Sequence, residues 1–317
     1  PADRCPAAAL RRGLAEAGGL MRAVVTGAAG HIGGQVAAEL VARGHEVVAV
    51  DRATPREPAR TGRSAAWHVG DVRDEAFIGD LMVRTRPDAV AHLAALPRPS
   101  LGTPLEIFAT NTEATFVALE CAGDVGVGHV VIASSTSALG TVFPVEAAAP
   151  VSPTYAPVDE DHPFLGSDPY ALSKQVDEAT AAMMHRRHGY QVVALRIPNT
   201  GPMDAQIARA ARVASDPSIL ANELWAYLDI RDAARAFALV LERDVPGSHV
   251  INLMAPETNS PEATADLLAR FHPTTRLRRP LDGRQVPFDL TRARDLLGFE
   301  AEHLLPGSGA DSTDRTE

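Results

Sequence analysis

Short runs of small and β-branched apolar residues alternate with longer stretches of helical periodicity along the first two-thirds of the chain. The strand-like runs are 23–26, 46–51, 65–69, 89–93, 129–134 and 191–196, and helical stretches fall between them at 33–43, 75–84, 105–123 and 168–189. Strands that read as near-continuous apolar runs are buried on both faces, and their alternation with helices predicts βαβ units and a parallel sheet. Right-handed crossovers then fold such units into a doubly wound sheet. After about residue 200 the rhythm weakens to helical patterns at 203–215, 231–243, 261–271 and 291–298 with few strands. The fold expected is therefore α/β: a Rossmann-type doubly wound parallel sheet over 21–200 and a smaller, mainly C-terminal lobe over 201–305.

One segment interrupts the pattern. Between Thr141 and Pro169 stand six prolines, none of which can continue a helix or a central strand. A stretch of that length without regular structure inside a compact domain tends to cover a site, so 141–169 is expected near one. Its acidic run, Asp159, Glu160 and Asp161, reads as a solvated turn. Residues 1–20 hold no solid apolar core of a signal peptide and read as an N-terminal extension, disordered or non-native; 306–317 reads as a disordered tail.

Composition narrows the function classes. The 317 residues carry 40 acidic against 30 basic side chains, for a net charge of -10, and 45% are hydrophobic. That is enough apolar material for a sizeable core, and the acidic balance argues against a nucleic-acid or anionic-membrane surface. No run approaches the roughly 18 apolar residues of a membrane span. Two cysteines, Cys5 and Cys121, supply neither a disulfide framework nor a metal site; they read as reduced thiols, and the expected location is the cytoplasm. Of the 30 basic residues, 29 are arginine and one is lysine, Lys174.

Gly27, Gly30 and Gly33 lie at the spacing GxxGxxG between a predicted strand and helix. The first glycine suits a tight turn, the second a close approach of backbone to a pyrophosphate, and the third close packing of the helix. The helix N-terminus adds free N–H groups and partial positive charge. Eighteen residues after Gly33, Asp51 ends the second strand, where a carboxylate accepts both ribose hydroxyls of an adenosine half. That favours NAD; Arg52 follows and could pair with a 2'-phosphate, so NADP stays open. Asp71 and Val72, ending the third strand, could meet the adenine amino group and cover its face.

Tyr170 and Lys174 stand four residues apart, on one face of a predicted helix. A tyrosine is a poor base at neutral pH, but a neighbouring cation stabilises its phenolate and makes proton exchange with an alcohol or carbonyl feasible. A compact ammonium can also donate to ribose hydroxyls, which a wider guanidinium does less well. Ser134–Ser137 (sequence SSTS) ends the strand at 129–134, and a hydroxyl there can polarise the reacting oxygen.

These residues together resemble the extended short-chain dehydrogenase/reductases, in the NAD-dependent epimerase/dehydratase group. The resemblance runs from 22 to about 300 through TGAAGHIG at 26–33, Asp51, GDV at 70–72, HLAA at 92–95, Asn111, SSTSALG at 134–140, YALSK at 170–174 with Glu178, LRIPNTGP at 195–202 and YLDIRDAARA at 227–236. It implies hydride transfer at a secondary carbon bearing oxygen, in a sugar or similar substrate. Tyr170 would be the general acid/base, Lys174 its modulator and ribose ligand, Ser135 the hydroxyl on the substrate oxygen, and Asn111 part of the catalytic group through cofactor-site architecture. The cofactor would meet Ala29, His31, Ile32, Leu93, Ala94, Ala95 and Pro198 besides the residues above. The substrate would meet Pro97, Ser135, Thr136, Ser137, Tyr170 and Asn199. A homodimer through the helices 105–123 and 168–189 would follow; no metal is implied.

Departures from the group's pattern narrow the reaction. Thr136 and Ser137 stand where sugar dehydratases carry an acidic pair, which disfavours dehydration. No arginine lies between Arg212 and Arg231, where nucleotide-sugar enzymes carry one that clamps a diphosphate. Leu139 replaces a common tyrosine before Gly140. The missing clamp favours an NAD-dependent oxidoreductase with net turnover, as in uronate dehydrogenases. The alternative is a nucleotide-sugar epimerase, in which the cofactor oxidises and re-reduces one carbon. A non-catalytic nucleotide-binding regulator is the third reading, disfavoured because serine, tyrosine and lysine are all present.

Overall fold

The computed structural model describes residues 19–53, 65–144 and 150–307. The extension 1–20 and the tail 306–317 lie almost wholly outside them, as do Cys5 and residues 145–149 of the proline-rich segment.

The chain begins β1 (Arg22–Thr26), α1 (His31–Ala42), β2 (Glu46–Asp51), β3 (Ala65–Val69), α2 (Glu75–Thr85), β4 (Ala89–His92), α3 (Pro104–Asp124) and β5 (His129–Ser135). It continues through β6 (Tyr155–Ala156), α4 (Pro169–His188), β7 (Gln191–Ile197), β8 (Asn199–Gly201), α5 (Met203–Ser215), β9 (Tyr227–Asp229), α6 (Ile230–Glu242), β10 (Ser248–Asn252), α7 (Thr264–Phe271), β11 (Arg276–Leu277) and α8 (Thr291–Leu297). Seven strands form one parallel sheet in the order β10-β7-β5-β4-β1-β2-β3. The strand order reverses between β1 and β4, the place where a doubly wound sheet opens a crevice at the carboxyl ends of its strands.

Two apolar layers sandwich the sheet. Val36, Leu40, Phe237, Leu241 and Leu297 from α1, α6 and α8 pack on one face, and Ile78, Leu81, Leu119, Ala181 and Met184 from α2, α3 and α4 on the other. A third cluster, including Leu139, Val158, Val213, Trp225, Leu267 and Phe288, forms the core of the smaller lobe.

The expected boundary at residue 200 does not describe this arrangement. β10 pairs in register with β7, Ser248 with Val192 through Asn252 with Arg196, and α6 covers the sheet beside α1. Residues 230–252 therefore belong to the large layer, and the lobe core takes Leu139, Ala156 and Val158 together with segments on either side of that return. The strand escaped notice because it is short, opens on Ser248 and His249, and lies at the sheet edge, where its alternation is weak.

The acidic run in the proline-rich segment is also not a solvated turn. Glu160 is buried and accepts from Asn252 N at 2.8 Å, Asp159 pairs with Arg278 at 2.6 Å, and Asp161 pairs with Arg292 at 2.7 Å. Only Asp161 of the three is exposed. The run fastens the segment to β10 and to the lobe.

Candidate active site

The turn after β1 is built around Gly27, whose φ of +71° is open to glycine. A Cβ on Gly33 would lie 2.1 Å from Gly27 O, so the third glycine is required by the turn itself as helix α1 crosses it. Gly30 caps α1 with no side chain of its own, leaving the first-turn N–H groups open to an anion. Asp51 braces this turn by accepting from Ala29 N at 3.0 Å.

One cleft of about 720 Å³ opens at the reversal of strand order. It is lined by Gly27, Gly30, His31, Ile32, Gly33, Asp51, Arg52, Asp71, Val72, Leu93, Ala94, Ala95, Pro97, Ser135, Thr136, Ser137, Tyr170, Lys174, Pro198 and Asn199. Of the residues singled out from sequence, Ala29 and Asn111 do not line it. Ala29 acts through the N–H given to Asp51. Asn111 is fully buried, its amide spent on Leu96 N at 2.7 Å, Leu96 O at 3.2 Å and the Ser173 hydroxyl at 3.0 Å. It ties the loop after β4 to α4 and has no free atom for chemistry, which removes it from the catalytic group as a direct participant.

Asp71 is held by Arg73, whose guanidinium donates to it at 2.7, 3.1 and 3.2 Å and keeps its carboxyl below the usual range. Arg73 lines the cleft as well and was not anticipated.

Helix α4 starts cleanly: the Asp168 carboxylate accepts from Ala171 N at 2.8 Å, and Pro169 occupies the first turn. This start places Tyr170 and Lys174 one turn apart against the end of β5. Tyr170 is 6% exposed, and the edge of Phe143, from the proline-rich segment, meets its ring at 6.0 Å. The Ser135 hydroxyl, which accepts from Ser137 N at 3.1 Å, lines the same cleft and favours the ionised form of Tyr170. Lys174 Nζ lies 5.9 Å from the Tyr170 ring centre and donates to Ala133 O at 2.9 Å and to Asp177 at 3.0 Å.

The electrostatics differ from the simple expectation. Burial raises the proton affinity of Tyr170, and this outweighs the lowering by Lys174 and by Ser135. The phenol is thus held protonated. Burial would discharge Lys174, but Asp177 and Glu178 keep it charged. Behind β5, Glu178 accepts from Ser134 at 2.6 Å and takes both Arg196 Nε and Nη2 at 2.8 Å, locking α4 to β5 and β7.

The cleft does not stop at the tyrosine. Asn199, Thr200, Arg98, Arg209 and Glu223 line it as well. Arg209, on α5, reaches both carboxylate oxygens of Glu223 at 2.6 and 2.7 Å. The gap between Arg212 and Arg231 is real, and fully buried Trp225 stands within it, but an arginine from another element reaches the same cleft. Leu139 is buried in the lobe core rather than at the cleft's edge.

Among the described residues no helix is long and apolar enough to cross a membrane. The family model described as NAD dependent epimerase/dehydratase matches residues 23–253. UDP-glucose 4-epimerase of Bacillus subtilis (strain 168) is 28% identical over 218 residues, which are 66% of this chain and 60% of that protein. The chain thus matches somewhat less than two-thirds of that relative's length. Among solved structures, a UDP-galactose 4-epimerase is 27% identical with a TM-score of 0.63, covering 89% of this chain and 94% of its own. MoeE5 in complex with UDP-glucuronic acid and NAD is also 27% identical, with a TM-score of 0.65 over the same shares.

Proposed function

Since the chain belongs to the NAD-dependent epimerase/dehydratase family, we propose that it is an enzyme that epimerises a nucleoside-diphosphate sugar, a UDP-hexose or hexuronate, at its 4-carbon. The observation that carries this reading is the continuity of the cleft. Its lining joins the glycine turn and Asp51 with Ser135 and Tyr170, and also takes in Arg98 and the Arg209–Glu223 pair. A dinucleotide accounts for the first set; a substrate with its own anionic group accounts for the other. The reading of net dehydrogenation rested on a missing arginine, and Arg209 weakens that ground.

Bound at the glycine turn, NAD supplies a hydride acceptor that can return what it takes. The protein's part is to position and to move one proton. Ser135 hydrogen-bonds the reacting oxygen opposite Tyr170. The tyrosine takes the hydroxyl proton as the carbon is oxidised and gives it back as the carbon is reduced. Lys174, which lines the same cleft, would stabilise the phenolate between these events and would be a donor for the cofactor's ribose. Thr136 and Ser137 offer no carboxylate for eliminating water, which leaves a dehydratase without its base.

Incubation of the purified chain with UDP-glucose or UDP-glucuronate tests this by NMR: an isomerised sugar with no net change at 340 nm is the expected result. Stoichiometric NADH accumulation would return the net-dehydrogenase reading. Tyr170→Phe is expected to lower turnover about 100- to 10,000-fold with NAD affinity nearly intact. Unchanged turnover in that variant removes the tyrosine from its role.

A further inference from the structure

The Arg209–Glu223 pair lines the cleft, and the fold around it is fastened by other contacts. Its side chains are 23% and 22% exposed, and Nη2 of the arginine meets both carboxylate oxygens at 2.6 and 2.7 Å. The 3-10 segment that carries Glu223, Pro217–Glu223, is held without it. Trp225 Nε1 donates to Pro217 O at 2.8 Å and the Thr141 hydroxyl to Asn222 O at 2.8 Å. Val213 of α5 packs with Leu220 and Ala221 in the lobe core.

Both forks through which a guanidinium grips a phosphate, Nη1 with Nη2 and Nε with Nη2, include Nη2. Glu223 stands on that nitrogen, while Nε is buried with no hydrogen-bond partner. A phosphate seated on either fork would lie against the carboxylate, and two anions on one cation repel.

The surroundings offer Glu223 no second cation to move to. Burial raises its proton affinity, and Arg209 is the charged group that offsets this. His272, from α7, spends Nε2 on Ala221 O at 2.9 Å, and burial pushes its pKa down. Asp216, at the start of the segment, is exposed and accepts from Ser218 N at 3.0 Å. Arg212, one turn along α5, is exposed. A carboxylate pushed off Arg209 therefore takes a proton or turns outward to water.

Resting on the reading that the substrate's diphosphate meets Arg209, we propose that Glu223 is an internal competitor: its carboxylate holds the guanidinium in place of a phosphate, and the substrate displaces it to bind. The exchange makes Glu223 a specificity-determining residue. A diphosphate carries more charge and more acceptor oxygens than a carboxylate and takes the arginine; a neutral ligand does not. The exchange also withholds part of the binding energy that substrate and product, bearing the same diphosphate, would otherwise share.

The test is calorimetry on the full chain loaded with NAD, in the slowly turning Tyr170→Phe background, with UDP-glucose and uridine as probes. Glu223→Gln keeps the size of the side chain and removes its charge. It is expected to tighten UDP-glucose about 10-fold or more and to leave uridine within about twofold. With Glu223 intact, affinity for UDP-glucose should rise as the pH is lowered from about 7 to about 5, because protonation of the carboxylate releases the arginine. Uridine should show no such rise, and Glu223→Gln should flatten it. Weaker or unchanged UDP-glucose binding in a folded Glu223→Gln overturns the proposal and leaves Glu223 as a support for Arg209. If that variant fails to fold, flat or falling affinity for UDP-glucose at the lower pH overturns it alone. UDP-glucose that binds no more tightly than uridine would instead defeat the reading of Arg209 as the diphosphate's partner, and the competitor with it.

Discussion

One nitrogen of Arg209, Nη2, spans both carboxylate oxygens of Glu223, at 2.6 and 2.7 Å, and Arg209 Nε is left buried with no hydrogen-bond partner. Glu223 is itself pushed up by burial and drawn back by the arginine. Under the proposed function this guanidinium, which lines the cleft, is the group that meets the substrate's phosphates. Replacing Arg209 with Met should weaken UDP binding about 10- to 100-fold in calorimetry, while binding of uridine, which lacks the phosphates, stays within about twofold. Equal UDP affinity in wild type and variant would leave the substrate's anionic group to other residues.

Asp51 spends one oxygen on Ala29 N and the other on Ala53 N, yet lines the cleft. Asp51→Ala should cost NAD about 10- to 100-fold in affinity and NADP less, since a 2'-phosphate is repelled by the carboxylate and Arg52 is at hand. Calorimetry that finds wild-type preference for NADP would undo the argument from the carboxylate.

Arg196 and Glu178 form a doubly hydrogen-bonded pair with side chains 6% and 7% exposed. Arg196→Met leaves the carboxylate buried without its paired guanidinium, keeping the Ser134 hydrogen bond, and should destabilise the fold by about 3–5 kcal/mol. A thermal melt displaced downward by roughly 6–20 °C is the expected signature. A displacement of one or two degrees would mean that Glu178 takes up a proton at little cost.

The helices α3 and α4 lie side by side and present Leu105, Phe116 and Leu172 to solvent, at 75%, 44% and 44% exposure. This face is proposed to bind its counterpart on a second copy. Sedimentation of the wild type is expected to give a dimer, and the double variant Phe116→Glu, Leu172→Glu a monomer with an unchanged melt. A monomeric wild type would dismiss the assembly.

Much of the large layer could be read from residue order because its signals are local. A strand's apolar run, the glycine spacing after β1 and the four-residue step from Tyr170 to Lys174 each lie within one turn or one element. What could not be read depends on partners far along the chain. Arg209 and Glu223 meet only because a 3-10 segment, Pro217–Glu223, turns back toward α5. Glu160 looked solvated because its partner, Asn252 N, is 92 residues away on a strand that sequence reading missed. Asp177 follows the recognised motif by three residues, but its burial against Lys174 is something an isolated aspartate in a polar helix does not announce. The direction of the Tyr170 shift was missed for the same reason: the attraction of Lys174 was legible, the desolvation was not.

The pairing of β10 with β7 bears on how this protein can be made and divided. One of the sheet's two edge strands is Ser248–Asn252, so during synthesis β7 keeps an open edge until roughly fifty further residues have left the ribosome. An open edge is a place for wrong partners. A fragment cut at residue 200 would carry the whole glycine turn and both Tyr170 and Lys174, yet lack the strand that closes its sheet and the helix α6 that covers it. The nucleotide half is thus not a cassette that can be excised or grafted at the place where the chain seems to change character.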